Sequence, residues 1–391
     1  MSDYLPRDLH LQILKRLPLN SIIQSSIVCK SWNSLITSTD FISAHQNFTK
    51  SINGTGPQTL LIRYFDRTRK IEKYVTGKDD LTFGFQFSDI EFHQSATTTA
   101  YFRVVGYCDG VFCLSDDLFD SMSTVILWNP SIRRSVRVLV PNHEQIWPQV
   151  TVLGFGVCPR THDPKIVRIV CVNDFSVPDM VTMNDHSSVE VFSVASGGWR
   201  KHFGGGGGNH GRSPHKMIQI SWSQICFSGA IHWIACDKRI GSNPRCLIVS
   251  FGLVHEVFDE MPLPDALARQ HVLKLSIDNR KGCLTVIECD MEKGNECCGV
   301  WVMKEYGVMR SWEKLYVIHL PGLLRRPVGF RANGEMVLAL KNHELVSVDC
   351  NGNIKSLNVY GNIRSFFVGS FMESLILVDK QDGQLYRPRP C

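Results

Sequence analysis

The sequence predicts a chain of two unlike parts: a short helical unit over residues 1–48 and an all-β propeller over residues 60–391. Together they make an α+β multidomain protein. Apolar residues recur at helical spacing only in the first part, whereas short β-type runs separated by turns fill most of the second. A strand–turn–strand arrangement recurs among those runs and predicts six blades.

Composition and charge exclude several classes of function. The 391 residues are 43% hydrophobic and 20% charged, which is enough apolar material for a sizeable core. With 42 basic and 37 acidic residues and no long basic block, nucleic-acid binding is not indicated. The charged opening MSDYLPRDLH does not fit a secretory signal, and no apolar run reaches the ~18 residues of a membrane helix. We therefore expect a protein of the cytoplasm or nucleus, away from membranes, with its 14 cysteines reduced.

Three short amphipathic helices are predicted within residues 1–48. The first carries an apolar stripe at four-residue steps, Pro18 ends it, and the second begins near Asn20. The third has apolar residues at positions i, i+4, i+7 and i+8. The first stripe consists of Leu5, Leu9, Ile13 and Leu17 with Leu14 beside it, and the third face consists of Val28, Trp32, Leu35 and Ile36.

A unit this small cannot hide all of its apolar surface within itself. Burying a Leu, Ile or Trp side chain is worth roughly 1.5–3 kcal/mol, and a handful of them offsets an association cost of ~4–15 kcal/mol. The residues alone leave two outcomes open: the unit docks on the following domain of its own chain, or it docks on another protein.

The run LPRDLHLQILKRLPLNSIIQSSIVCKSWNSLITSTDF resembles the F-box, a short motif that binds the Skp-type adaptor of Skp–cullin–F-box (SCF) ubiquitin ligases. Gln12 and Asn20 depart from residues that the family often has there. The resemblance implies that Val28, Trp32 and Leu35 also hold the third helix in place. The implied adaptor-binding residues are Leu5, Pro6, Leu9, Ile13, Leu14, Leu17, Pro18, Val28, Cys29, Trp32 and Leu35.

The remaining chain predicts a closed ring of blades. Residues 49–59 are rich in turn formers and are interpreted as a linker. The recurring unit places Trp199, Phe258 and Trp312 at intervals of 59 and 54 residues, near the ~40–50 residues of a propeller blade. We expect the last blade to combine LLIRYF and RKIEKYV with SFFVGS and ESLILVD from the carboxyl end, which leaves no long free sheet edges. A two-sheet sandwich is the main alternative.

Several of these segments resemble the F-box-associated region found mostly in plant F-box proteins. The resemblance covers most of residues 100–380 and includes GYCDGVFCL, LWNPSIRR, GFGVCPRTHDPKIVRI and VEVFSVASGGWRK. That family is diverse and includes the pollen S-locus F-box proteins, but these residues do not place the chain in that subgroup.

The run HFGGGGGNHGRSPHK is the most conspicuous local feature. No Gly-Lys-Ser/Thr follows its glycines, so a phosphate-binding loop is not indicated. His202, His210 and His215 could share a metal, but a glycine-rich loop would lose much entropy to hold such a site. We interpret the run as an exposed loop, and we expect no catalytic, metal or cofactor site in the chain.

The resulting hypothesis is a non-catalytic adaptor. The helical unit binds the Skp-type subunit, and through it cullin and the RING subunit, while the propeller holds a target protein that the sequence does not identify. Two alternatives remain: an F-box scaffold or small-molecule sensor acting outside the ligase, and an enzyme with a galactose-oxidase-like propeller. The last would need paired His and Tyr copper ligands, and no His pair at useful spacing accompanies Cys226, Cys236, Tyr306 and Tyr316.

Overall fold

The amino-terminal part of the computed structural model is helical, as predicted. The three predicted helices are present, and a fourth, longer helix follows them. The helices are α1 (Arg7–Leu14), α2 (Leu19–Ser26), α3 (Lys30–Ile36) and α4 (Thr39–Asn53). The structure describes residues 6–53, 59–79, 87–90, 102–116, 124–141, 149–172, 180–182, 188–202, 218–237 and 244–388.

Prolines fix the starts of the first two helices. Pro6 and Pro18 both precede a first helical residue, and their carbonyl oxygens accept hydrogen bonds from Leu9 N and Ser21 N at 3.0 and 2.9 Å. Pro18 therefore starts α2, and the start expected near Asn20 lies one residue earlier, at Leu19. The prediction that Pro18 ends the first helix is wrong, because α1 already ends at Leu14. α4 reaches Asn53 inside the predicted linker; the division of the chain at residues 48 and 60 stays a prediction.

The described strands form six separate sheets, which are the six blades of a propeller. This excludes the two-sheet sandwich. Blade 1 contains β1 (Thr59–Asp66), β2 (Ile71–Lys78), β3 (Phe87–Ile90) and β25 (Phe367–Phe371); blade 2 contains β4 (Arg103–Cys108), β5 (Val111–Ser115), β6 (Thr124–Asn129), β7 (Arg134–Leu139) and β26 (Gln384–Tyr386); blade 3 contains β8 (Gln149–Val157), β9 (Pro164–Val172), β11 (Ser188–Ser193) and β12 (Gly198–Lys201).

The other three blades follow in chain order, with a short helix α5 (Asp265–Ala268) between blades 4 and 5. Blade 4 contains β10 (Met180–Thr182), β13 (Ile218–Phe227), β14 (Ala230–Asp237), β15 (Arg245–Gly252) and β16 (Val257–Pro262); blade 5 contains β17 (Leu275–Arg280), β18 (Cys283–Asp290), β19 (Cys297–Met303) and β20 (Trp312–His319); blade 6 contains β21 (Leu324–Phe330), β22 (Met336–Leu340), β23 (Glu344–Val348) and β24 (Ile354–Tyr360).

The two ends of the propeller sequence meet in blade 1, as predicted. β25 pairs antiparallel with β1, with Val368 opposite Ile62, and this confirms the closing role of SFFVGS. The segment ESLILVD, in contrast, forms turns and not the expected strand. Leu377 has a φ of 75°, which lies outside the extended region, so the chain turns there instead of continuing as a strand.

The predicted repeat is confirmed in the outer strands. Trp199, Phe258 and Trp312 lie on β12, β16 and β20, which are the last strands of blades 3, 4 and 5. The run FDRTRKIEKY from Phe65 has the same strand–turn–strand pattern, but it joins the second and third strands of blade 1. The first strand of that blade comes from the carboxyl end, so the unit is shifted by one strand.

The GFG segment of β8 allows neighbouring blades to pack closely. A Cβ atom added to Gly154 would lie 2.2 Å from Cζ2 of Trp233, whose side chain is completely buried on β14 of blade 4. Glycine at this position therefore permits a contact between blades 3 and 4 that any larger residue would obstruct.

One cysteine pair departs from the expectation of uniformly reduced thiols. Cys289 and Cys298 face each other on β18 and β19 with their Cα atoms 4.2 Å apart, and a disulfide joins them. Directly opposed residues on antiparallel strands approach closely enough for this bond. Within the described residues, no helix is long and apolar enough to cross a bilayer.

Candidate adaptor surface, helical docking interface and propeller channel

The residues predicted to bind the adaptor differ strongly in exposure. Leu5 lies outside the described residues. The structure exposes Pro6, Leu9, Ile13, Pro18 and Val28, half-buries Leu17, Cys29 and Trp32, and buries Leu14 and Leu35.

Four large apolar side chains of the helical unit are exposed, three of them from the predicted set. Leu9 and Ile13 lie one turn apart on α1 and are 47% and 52% exposed. Ile27 and Val28, between α2 and α3, are 86% and 68% exposed. Leu9, Ile13, Ile27 and Val28 are called the open surface below.

Two of these positions correct the sequence interpretation. The spacing of Ile22, Ile23 and Ile27 predicts that all three line the second helix, but α2 ends at Ser26 and leaves the Ile27 side chain exposed. Val28 was expected to hold the third helix in place, but α3 begins only at Lys30. The spacing i, i+4 therefore does not place Val28 on the same helical face as Trp32.

Leu14 and Leu35 are buried inside the chain. They are 2% and 7% exposed and belong to an apolar cluster with Ile36 and Phe41, against which Trp32 packs. The Trp32 ring lies 6.1 Å from the His10 ring. Its buried Nε1 has no hydrogen-bond partner in the described part of the chain. The adaptor contacts of all the predicted residues, buried or exposed, stay predictions.

Helix α4 docks on the propeller through polar contacts with blade 2. Lys50 Nζ donates to Asp109 Oδ2 at 2.7 Å, and Gln46 Nε2 donates to the Asp109 carbonyl oxygen at 3.5 Å. Ser374 Oγ donates to Gln46 Oε1 at 3.3 Å. His45 beside them is buried, and burial lowers its pKa, which keeps the ring neutral at this interface.

The turn that carries Asp109 needs glycine at its second position. Asp109 and Gly110 both have positive φ, 49° and 86°, as in the tight turn of a two-residue hairpin. A Cβ atom on Gly110 would also lie 2.4 Å from Cβ of Ser374. The β4–β5 turn therefore packs directly on the carboxyl-terminal segment and presents Asp109 to α4.

Asn129 of the Asn-Pro-Ser turn holds that carboxyl-terminal segment. Its fully buried side chain donates through Nδ2 to the carbonyl oxygens of Ser374 and Ile376 at 2.9 and 2.8 Å, while Oδ1 accepts from Ser131 N at 2.9 Å. All polar groups of the amide thus have partners. The four residues after Ser374 belong to the same apolar cluster as the buried residues of the helical unit; they are Leu375, Ile376, Leu377 and Val378.

These contacts answer the question that the residues alone left open. The chain's own propeller covers the α4 side of the helical unit, whereas the open surface is left without a cover among the described residues. Sequence reasoning missed the docking residues Gln46, Lys50, Asp109, Asn129 and Ser374. The one available signal was the Asn-Pro-Ser sequence in LWNPSIRR, which the resemblance to the F-box-associated region includes without assigning it a role.

The propeller encloses a channel with a volume of about 800 Å³. Its walls come from the innermost strands of blades 1, 2, 4, 5 and 6, and Thr49 of α4 lies at one end. Arg63 in the wall donates to the Ser365 carbonyl oxygen and pairs with Glu72. Burial raises the pKa of Asp278 to about 7, although a hydrogen bond from Asn279 N at 2.7 Å opposes the shift.

Of the three candidate metal ligands, only His202 lies in the described part of the chain. His202 packs edge-on against Phe251 and Phe258, with ring centroids 5.6 and 6.0 Å away, and burial lowers its pKa. His210 and His215 lie outside the described residues. Among the residues that the structure describes, no three His, Cys, Asp or Glu side chains are grouped so that they could hold a metal ion.

Comparison with known proteins agrees with this architecture. The family model "F-box associated beta propeller domain" matches residues 64–360, and the model "F-box domain" matches residues 3–43. Among Arabidopsis thaliana proteins, "F-box protein At3g07870" is 28% identical over 89% of this chain and 85% of its own length. "F-box protein CPR1" is 24% identical over 97% of this chain and 90% of its own length.

Among solved structures, the chain has a TM-score of 0.42 and 9% identity to TolB from Acinetobacter baumannii, covering 90% of this chain and 72% of that one. Since the family model of the propeller spans most of the chain and follows an F-box, the chain belongs to the F-box proteins with an F-box-associated β-propeller domain.

Proposed function

We propose that this F-box protein is the substrate-recognition subunit of an SCF-type ubiquitin ligase. The F-box binds a Skp-type adaptor, and through it cullin and the RING subunit, while the propeller holds a target protein for ubiquitination and proteasomal degradation. The proposal places the protein in the cytoplasm or nucleus. The observation that carries it is an F-box whose apolar surface is open on one side and docked on the propeller on the other.

The open surface supplies the energy for adaptor binding. Each of its four side chains is at least 47% exposed, and burying one completely is worth roughly 1.5–3 kcal/mol. Four such side chains are comparable with the ~4–15 kcal/mol that association costs. An apolar surface concentrated in so short a segment is typical of a binding site and not of scattered surface residues.

The docking interface gives the complex a fixed geometry. The shared apolar cluster and the bonds of Gln46 and Lys50 to blade 2 tie the F-box to the propeller. A target on the propeller is then held at a constrained position relative to the conjugating enzyme. Proximity raises the effective concentration of the target lysine, so this chain needs no acid, base or nucleophile of its own.

Adaptor binding can be tested with exposed residues alone. The full chain and its Leu9→Asp/Ile13→Asp variant are co-expressed with a plant Skp-type adaptor and cullin and then purified by a tag on the F-box protein. We expect the variant to lose at least ~90% of the adaptor, because two charged groups would have to be buried in the interface. Leu14 is unsuitable for this test, because its burial makes Leu14→Asp a folding variant.

The matched control is Ile71→Asp, which places the same charge at an apolar residue 47% exposed on blade 1. It should retain the adaptor. Thermal unfolding of all three proteins shows that the comparison is between folded chains. Equal retention of adaptor by the double variant and the control would overturn the surface assignment, and no adaptor on the unaltered chain would overturn the proposal.

The channel supports the sensor alternative for one reason. Its volume of about 800 Å³ lies within the 300–1,000 Å³ range of small-molecule sites, and its wall combines Arg63 and Asp278 with apolar residues. Mass spectrometry of the native protein purified from plant tissue would detect a retained ligand. A ligand bound by a chain that does not bind cullin would favour the sensor over the ligase subunit.

A further inference from the structure

Two cysteines from different blades meet beside the channel. Cys108 ends β4 of blade 2, Cys226 lies near the end of β13 of blade 4, and their Sγ atoms are 2.8 Å apart. Both side chains are half-buried, and both line the channel wall. A disulfide holds its sulfur atoms about 2.05 Å apart, so a movement of less than about 1 Å separates this pair from the bonded state.

A side-chain hydrogen bond links these strands independently of the sulfur atoms. Gln224 Nε2 donates to the Val105 carbonyl oxygen at 3.0 Å and so links β13 to β4. A Cβ atom on Gly106 would lie 1.8 Å from that nitrogen, so the Gln224 side chain can occupy this position only because residue 106 is glycine. Val157 N on β8 donates to Cys108 Sγ at 3.4 Å and orients the thiol.

We propose that Cys108 and Cys226 are a site of oxidative modification, at which a reversible disulfide joins blade 2 to blade 4 across the channel wall. The oxidant class is a hydroperoxide, with hydrogen peroxide as the simplest member. This inference goes beyond ubiquitin transfer and does not depend on it.

The chemistry balances in two steps. Cys226 Sγ, as the thiolate, attacks the O–O bond of hydrogen peroxide, which gives a sulfenic acid and hydroxide. Cys108 Sγ then attacks Cys226 Sγ, loses its proton and expels the second oxygen as water. In total, two thiols and one hydrogen peroxide give one disulfide and two waters. A small-molecule dithiol returns both thiols.

The geometry assigns the order of these steps. Cys108 Sγ is the donor in the hydrogen bond to Cys226 Sγ, and this bond together with burial raises the pKa of Cys108. Cys108 therefore keeps its proton at neutral pH and serves as the resolving thiol. Oxidation under these conditions is expected to be slow and to require sustained peroxide.

The modification lies directly beside the docking interface. Cys108 precedes Asp109, which accepts hydrogen bonds from Lys50 and Gln46 of α4. A disulfide at Cys108 would fix the β4–β5 turn relative to blade 4. It would thereby also fix the position of Asp109, on which α4 of the F-box docks. We expect oxidation to raise Tm by at least about 5 °C, since the bond closes a loop of more than 100 residues.

The test uses the purified full chain without any partner protein, so its outcome does not depend on adaptor binding. The protein is treated with hydrogen peroxide, remaining thiols are alkylated, and peptides are mapped by mass spectrometry without reduction. We expect a linked peptide pair containing Cys108 and Cys226, which disappears after treatment with dithiothreitol. The Cys350→Ser control removes an exposed cysteine and should behave as the unaltered chain.

The Cys226→Ser variant should lose both the linked peptide and the rise in Tm. The proposal is overturned if peroxide leaves Cys108 and Cys226 fully alkylated while it oxidises exposed Cys350. It is also overturned if Cys108 is linked to other cysteines as often as to Cys226. Comparing oxidised and reduced unaltered protein keeps the test decisive even if Cys226→Ser does not fold.

Discussion

The F-box and the propeller treat their apolar residues in opposite ways. In the propeller, each blade covers the next, and its exposed apolar residues, such as Ile71, Leu323 and Tyr360, are spread over several blades. In the F-box, four exposed apolar residues lie within 20 positions of one another. The contrast shows that a closed ring of blades buries most of its apolar side chains between neighbouring blades. The short helices of the F-box bury theirs only on the side that faces the propeller.

The connection between these two regions consists of buried polar bonds and a shared apolar cluster. Asn129 is its central polar residue, because it holds the segment on which the F-box packs. The predictions below test this contrast through changes in stability, first at this connection, then inside the propeller, and finally at the exposed edge of the docking interface.

The largest effect is expected from Asn129→Asp. The substitution turns two donated hydrogen bonds into contacts between a carboxylate and the carbonyl oxygens of Ser374 and Ile376. Because the new charge would be buried without a cationic partner, we expect the unfolding free energy to fall by about 3 kcal/mol or more. Urea denaturation measures it. Asn351→Asp, at an exposed turn, is the control and should change stability by less than ~0.5 kcal/mol.

Gly154→Ala tests the packing between blades 3 and 4. Its Cβ would meet the buried Trp233 ring at 2.2 Å, so we expect a loss of about 1–3 kcal/mol. Gly198→Ala is the matched control, because nothing lies within 4 Å of its Cβ position. Equal thermal midpoints for the two variants would show that blades 3 and 4 are not in this contact.

Asp278 should make stability depend on pH. Its pKa of about 7 in the folded chain exceeds the ordinary 3.8, so between these values the folded state holds a proton that the unfolded state has lost. Stability therefore falls as pH rises through this window and is level above it. Asp278→Asn should match the unaltered chain near pH 4 and exceed its unfolding free energy by more than about 1 kcal/mol at pH 8. If urea denaturation gives the same difference in unfolding free energy between the two proteins at both pH values, the raised pKa of Asp278 is contradicted.

The smallest effect is expected at the rim of the docking interface. Lys50 is 43% exposed in its ion pair with Asp109, so a double-mutant cycle of Lys50→Ala and Asp109→Ala should give a coupling energy of ~0.2–1 kcal/mol. The coupling should shrink at high salt. A coupling above about 2 kcal/mol would mean that the ion pair, and not the apolar cluster, dominates docking.

Local patterns predicted much of the fold. The spacing of Leu9, Ile13 and Leu17 indicated α1, and the intervals between Trp199, Phe258 and Trp312 indicated repeating blades. Patterns failed where a residue's environment comes from distant segments. Val28 has helical spacing to Trp32 but precedes the helix, and ESLILVD has β-type composition but lies beneath blade 2 as turns.

By itself, the sequence determined the order of the parts, the helical and strand periodicities, and the closure of the ring by its two ends, because each depends on residues close together in the chain or on repetition along it. Tertiary structure alone decided which side of the F-box is covered. It also decided that Asn129 supports that side and that Cys108 meets Cys226. Those outcomes depend on contacts between segments more than 100 residues apart, whose pairing no local pattern records.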